Sequence, residues 1–112
     1  MKMSILTVNR IEGFHRSPDP PKYLAYLEDR HRHTFTVECG FDTRHDGTAV
    51  DNVSMQHQVA AYFRDTYGDP AEFGDRSCFE IARELLKFYP HCQHVVVRED
   101  GDGGGAAYRG CL

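Results

Sequence analysis

His31 and His33 stand two residues apart at the start of the run HRHTFTVECGFD, residues 31–42, in which His31, His33, Phe35, Val37, Cys39 and Phe41 alternate with more polar residues. Alternation of this kind predicts a β-strand, and residues two apart on a strand project from the same face, so both imidazoles can reach one metal ion. His15 closes the preceding stretch, residues 4–15, where Ile5, Val8, Ile11 and Phe14 give another strand with one buried face. Antiparallel pairing of the two strands would set His15 beside the pair. Three imidazole nitrogens suit zinc and leave a fourth position for water or substrate, which is the arrangement of a catalytic rather than a closed structural site. His45, His57, His91 and His94 fall in turns or near element ends and are expected to be solvated.

The rest of the chain must hold these strands in place. Ser17-Pro18-Asp19-Pro20-Pro21 lacks the backbone donors for a sheet and predicts a loop. One or two helical turns are expected over residues 22–29, and Asp46-Gly47 marks a tight turn. Asp51 is placed to cap a helix running to about Tyr67, with Val53, Val59, Tyr62 and Phe63 as its apolar stripe. Gly68-Asp69-Pro70 and Gly74-Asp75 break the chain before a second helix. That helix opens on Ser77-Cys78-Phe79-Glu80, a capping box, and buries Ile81, Leu85, Leu86 and Phe88 before Pro90 ends it. The β-branched run at residues 94–99 is a third strand, Gly101 to Gly105 a flexible turn, and residues 106–109 a short last strand. The order ββααββ predicts an α+β fold, an antiparallel four-stranded sheet with two helices on one face. So small a sheet keeps open edges, and self-association is expected.

At 112 residues the chain has room for a single domain spanning 1–112, and 40% apolar with 27% charged residues is a globular balance. The opening segment is interrupted too early by polar residues for a signal peptide's apolar core, no run is long enough to span a bilayer, and a cytoplasmic address is expected. A net charge of −4 with histidine neutral argues against a nucleic-acid partner. The cysteines Cys39, Cys78, Cys92 and Cys111 show no C-x-x-C spacing and are expected as thiols.

The order and spacing of these segments resemble the 6-pyruvoyltetrahydropterin and 6-carboxytetrahydropterin synthase family, the tunnelling fold. Ile11-Glu12-Gly13-Phe14-His15 stands where that family has F-x-x-x-H, and His31-Arg32-His33 where it has H-G-H. Thr48-Ala49-Val50-Asp51 resembles its G-x-V-x-D-F turn, Ser77-Cys78-Phe79-Glu80 its T-S-E helix start, Val95-Val96-Val97-Arg98-Glu99 its V-x-V-x-E-T strand, and Ala107-Tyr108-Arg109-Gly110 its closing A-x-Y-x-G. The resemblance implies a zinc-dependent lyase acting on a reduced pterin such as dihydroneopterin triphosphate, assembled as a homo-oligomeric barrel, a hexamer or another multimer. Zinc would be held by His15, His31 and His33. Glu99 would anchor the pterin, a carboxylate accepting two parallel hydrogen bonds from the amino and ring N–H edge of a 2-amino-4-oxopyrimidine, an edge shared with guanine. Ser77 and Cys78 would contribute to the same substrate site.

Two departures stand against this pattern. Synthases of the family carry a cysteine or glutamate base shortly before the H-x-H; here Tyr26, Glu28 and Asp29 occupy that stretch and are the catalytic candidates. The family's L-D-H stretch has no counterpart in residues 64–70, where Asp65 and Asp69, with His57 upstream, are candidates by neighbourhood. The alternative expectation is therefore a non-catalytic protein that binds a pterin, purine or nucleotide on the same fold.

Overall fold

The computed structural model describes residues 1–110, so Cys111 lies outside the described residues. Strand β1 (Ile5–His15) runs into a loop and a short 3-10 helix (Lys22–Glu28), and strand β2 (His31–Phe41) returns antiparallel beside β1. A two-residue ribbon, β3 (Arg44–His45) and β4 (Thr48–Ala49), turns through Asp46 and Gly47, both at positive φ (51° and 78°) as the expected tight turn requires. Helix α1 (Asn52–Tyr67) follows, then strand β5 (Ala71–Gly74), helix α2 (Cys78–Phe88), and strands β6 (Cys92–Glu99) and β7 (Gly104–Tyr108).

The fold class is α+β as expected, but the sheet is five-stranded and mixed, in the order β5-β1-β2-β6-β7, with β5 parallel to β1. The expected four-stranded antiparallel sheet is corrected by β5. Its Ala71 and Phe73 are buried and Glu72 and Gly74 exposed, a strand alternation so short, between two Gly-containing breaks, that it reads as part of the linker. The last strand opens at Gly104 rather than Ala106. A Cβ on Gly105 would meet the Phe79 backbone nitrogen at 2.6 Å, so the glycine lets β7 pass under the start of α2 where a side chain would hold it off.

Both α-helices cover one face of the sheet, α1 against β1 and β5, α2 against β6 and β7. Each begins where expected: Asp51 accepts the Val53 N–H at 2.9 Å, and Ser77 and Glu80 form a complete capping box. Met55, not Val53, joins Val59, Tyr62 and Phe63 on the buried stripe of α1, Phe88 of α2 is exposed, and Phe35, Phe41 and Phe73 are fully buried in the same core. Burying each such large side chain stabilises the fold by roughly 1.5–3 kcal/mol. The far end of α2 is closed by Arg109, which donates to the carbonyls of Leu86 (2.6 Å), Tyr89 (3.1 Å) and Cys92 (2.9 Å) and so satisfies helix-terminal groups that would otherwise be orphaned. No helix among the described residues is long and apolar enough to cross a membrane.

Candidate metal centre

Register brings the histidines together. In the β1–β2 ladder His15 pairs with His31 and Gly13 with His33, at the end of the strands and on the helix-covered face. Ring centroids are 4.6 Å apart for His15 and His31, 4.9 Å for His31 and His33, and 5.2 Å for His15 and His33. One nitrogen from each lies within 4.8 Å of the others, close enough to share a metal ion. Phe35, fully buried and two residues along the same strand face, presses edge-on against His15 and His33 and fixes the floor of the cluster.

Each ring is oriented through its Nδ1. His15 Nδ1 donates to the Arg76 carbonyl at 3.1 Å, and His31 Nδ1 donates to the Asp29 carbonyl at 2.8 Å. A carbonyl can only accept, so in the neutral rings the proton sits on Nδ1 and the Nε2 lone pair is free. His33 Nδ1 lies 2.7 Å from Asp100 Oδ2, while Asp100 Oδ1 accepts the Thr34 N–H at 2.9 Å. The Thr34 amide and then His33 hold the Asp100 carboxyl below its ordinary range. Burial pulls the His15 pKa down, against the Arg76 carbonyl and the charge of Glu99, which favours the neutral, ligating imidazole.

The Nε2 atoms of His15 and His33 are buried and have no hydrogen-bond partner, although Glu99 Oε1 lies 3.2 Å from the first and Glu99 Oε2 3.4 Å from the second. A carboxylate offers only lone pairs, and so does a neutral Nε2 whose ring proton is on Nδ1. Acceptors facing acceptors at this distance repel unless a cation or proton stands between them. The donor set therefore fits a divalent cation, with carbonyl and carboxylate partners behind the rings of the kind that orient metal-binding histidines.

The cluster opens into a pocket of about 610 Å³ whose lining includes His15, His33, Glu99, Ser77, Cys78 and Asp100. Cys78 donates its thiol proton to Glu99 Oε1 at 3.7 Å, and burial, then the charge of Glu99, pushes its pKa up to about 12. The Ser77 hydroxyl is engaged in the cap of α2, donating to Glu80 Oε1 at 3.0 Å and accepting the Glu80 N–H at 3.3 Å. Of the substrate-site candidates, then, Glu99 presents a partly exposed carboxylate to the pocket, with the buried Cys78 thiol behind it.

Tyr26, Glu28 and Asp29 are not brought to it. The 3-10 helix buries none of its residues, Tyr26 is 66% exposed, and none of the three lines the pocket. Asp29 enters the centre only through its backbone carbonyl to His31, and Glu28 through its carbonyl to Arg16 Nε at 3.0 Å. His57, Asp65 and Asp69 are exposed and outside the pocket. Asp100 is the residue that sequence reasoning missed. The signal was present in Glu99-Asp100-Gly101, where an acidic pair stands at the end of a strand, but Asp-Gly reads first as a turn. Asp100 is indeed in a turn, at φ 54°, and that bend aims its carboxylate back at β2. No protein-family model matches the chain, and no curated protein sequence does.

Proposed function

We propose that this protein is a zinc-dependent lyase of the 6-pyruvoyl- and 6-carboxytetrahydropterin synthase type, acting on a reduced pterin such as dihydroneopterin triphosphate. The observation that carries the reading is the convergence of His15, His31 and His33, with Glu99 beside His15 and His33 in the pocket that these last two histidines line. When bound, zinc supplies a Lewis acid that polarises a substrate oxygen. The chain's own residues supply the rest. Glu99 accepts the amino and ring N–H edge of the pterin, and the Cys78 thiol steadies the Glu99 oxygen it donates to. A pocket of about 610 Å³ has the size of a small-molecule site and accommodates a bicyclic ring with a short side chain.

A second reading is favoured by one observation: the segment expected to give the proton-transferring base presents Tyr26, Glu28 and Asp29 outside the pocket. In that reading the protein binds a pterin, purine or nucleotide through Glu99 without turning it over. Self-association as a hexamer or other multimer belongs to the proposal, supported by the open edges β5 and β7 and by Leu6, Val8 and Tyr108 exposed on the uncovered sheet face. So does a cytoplasmic location.

Incubating zinc-loaded protein with dihydroneopterin triphosphate and following products by chromatography separates the two readings. A new pterin product supports the lyase. Tight calorimetric binding of a pterin or purine with no product supports the binding protein and rejects the enzyme. Loss of zinc by elemental analysis in His31→Ala and His33→Ala supports the ligand set; undiminished zinc in both rejects it.

A further inference from the structure

Resting on the reading that the three histidines hold a cation, we infer that Glu99 is a fourth, displaceable ligand of that cation, so that one carboxylate is contested between the metal and an incoming ligand edge. Two ligand atoms at zinc bond lengths in a tetrahedral site lie about 3.3–3.4 Å apart. Glu99 Oε1 is 3.2 Å from His15 Nε2, and Glu99 Oε2 is 3.4 Å from His33 Nε2. Those are the spacings of groups that share a cation, and neither contact is a hydrogen bond, since both nitrogens are without a partner.

The surroundings hold the carboxylate in that position without locking it there. Cys78 Sγ donates to Glu99 Oε1 at 3.7 Å, a long and weak bond, and the Glu99 side chain is 35% exposed towards the pocket. The backbone beneath is anchored more firmly: the Glu99 N–H donates to the Gly103 carbonyl at 3.0 Å, and the next residue, Asp100, is fastened to Thr34 and His33. A side chain that turns on a fixed backbone can exchange one partner for another. When a 2-amino-4-oxopyrimidine edge takes both oxygens of Glu99, the carboxylate leaves the histidines and a coordination position is freed. Ligand occupancy and metal coordination are thereby coupled through a single residue.

Cobalt(II) in place of zinc tests this, because its visible bands report the ligand set. Glu99→Gln is expected to shift and weaken the cobalt bands and to lower zinc affinity at least about tenfold, with the far-ultraviolet circular dichroism of the metal-free protein unchanged. Adding pterin itself (2-amino-4-oxopteridine) to the cobalt-loaded wild type is expected to move its bands in the direction of the Glu99→Gln spectrum and to leave the variant's bands in place. Wild-type bands and affinity in Glu99→Gln overturn the assignment, as does calorimetric binding of pterin that leaves the wild-type bands unmoved. Should Glu99→Gln fail to fold, the pterin titration of the wild type decides alone. If His33→Ala abolishes cobalt binding while Glu99→Gln does nothing, the role of Glu99 falls and the three-histidine centre stands. Absence of cobalt bands in the wild type removes both.

Discussion

Nδ1 of His33 and Oδ2 of Asp100 lie 2.7 Å apart, and the second oxygen of the same carboxylate is tied to the Thr34 amide at 2.9 Å. Asp100 thus spans β2 from backbone to side chain and sets the direction in which His33 presents Nε2. Asp100→Asn keeps a residue that tolerates the left-handed backbone at φ 54° but replaces a charged acceptor with a neutral amide. Zinc affinity is expected to fall about 10- to 100-fold, read by competition with a chromophoric chelator. Wild-type affinity would show that the contact does not position the ring.

Ser77 separates a structural from a substrate-binding assignment. Its hydroxyl is committed to the start of α2, so Ser77→Ala should lower stability by about 1 kcal/mol in urea unfolding. Pterin affinity measured by calorimetry is expected to change little. A large loss of affinity with unaltered stability would return Ser77 to the binding site.

Gly105 is expected to tolerate no side chain. A Cβ there would meet three Phe79 atoms between 2.6 and 2.9 Å, two of them backbone, so Gly105→Ala must push β7 away from the start of α2. A destabilisation of about 1–3 kcal/mol is expected from chemical unfolding. Because Cys78 is the first residue of α2, the cobalt spectrum should shift as well.

His91 gives stability a dependence on pH that is independent of the metal centre. Its pKa is lowered, first by burial and then by His45, whose ring stacks on it at 4.0 Å; Asp42 and Asp46 pull the other way without prevailing. A histidine that resists protonation in the folded state takes up its proton more readily when unfolded. Stability therefore rises with pH through this window and is lost as pH falls below the ordinary histidine value of about 6.5. The urea midpoint of the metal-free protein is expected to drop between pH 7.5 and pH 5, and His91→Gln should reduce that drop. An identical drop in the variant would remove His91 from the account.

The histidine cluster was legible because its determinants are local: a strand period places His31 and His33 on one face, and a single antiparallel pairing adds His15. The capping box at Ser77 and the turn at Asp46-Gly47 were legible for the same reason, each depending on neighbours within three residues. The strand at Ala71–Gly74 was not, since its pairing partner is β1, more than fifty positions earlier, and four residues carry too little pattern to announce it. The positions of Tyr26, Glu28 and Asp29 depend on how a proline-rich loop leaves the sheet, which local patterning does not specify. Asp100 was hidden by having two tasks, a turn residue by sequence and a brace for His33 in space.

The 3-10 helix between β1 and β2 contributes nothing to the interior, yet it ends beside the carbonyl of Asp29 that orients His31. Substitutions along its outer surface therefore carry little thermodynamic penalty, and they leave unchanged a cavity that no residue of this helix lines. This segment can drift in sequence with the scaffold left intact, as long as the positions leading into His31 keep the backbone course that aims the Asp29 carbonyl.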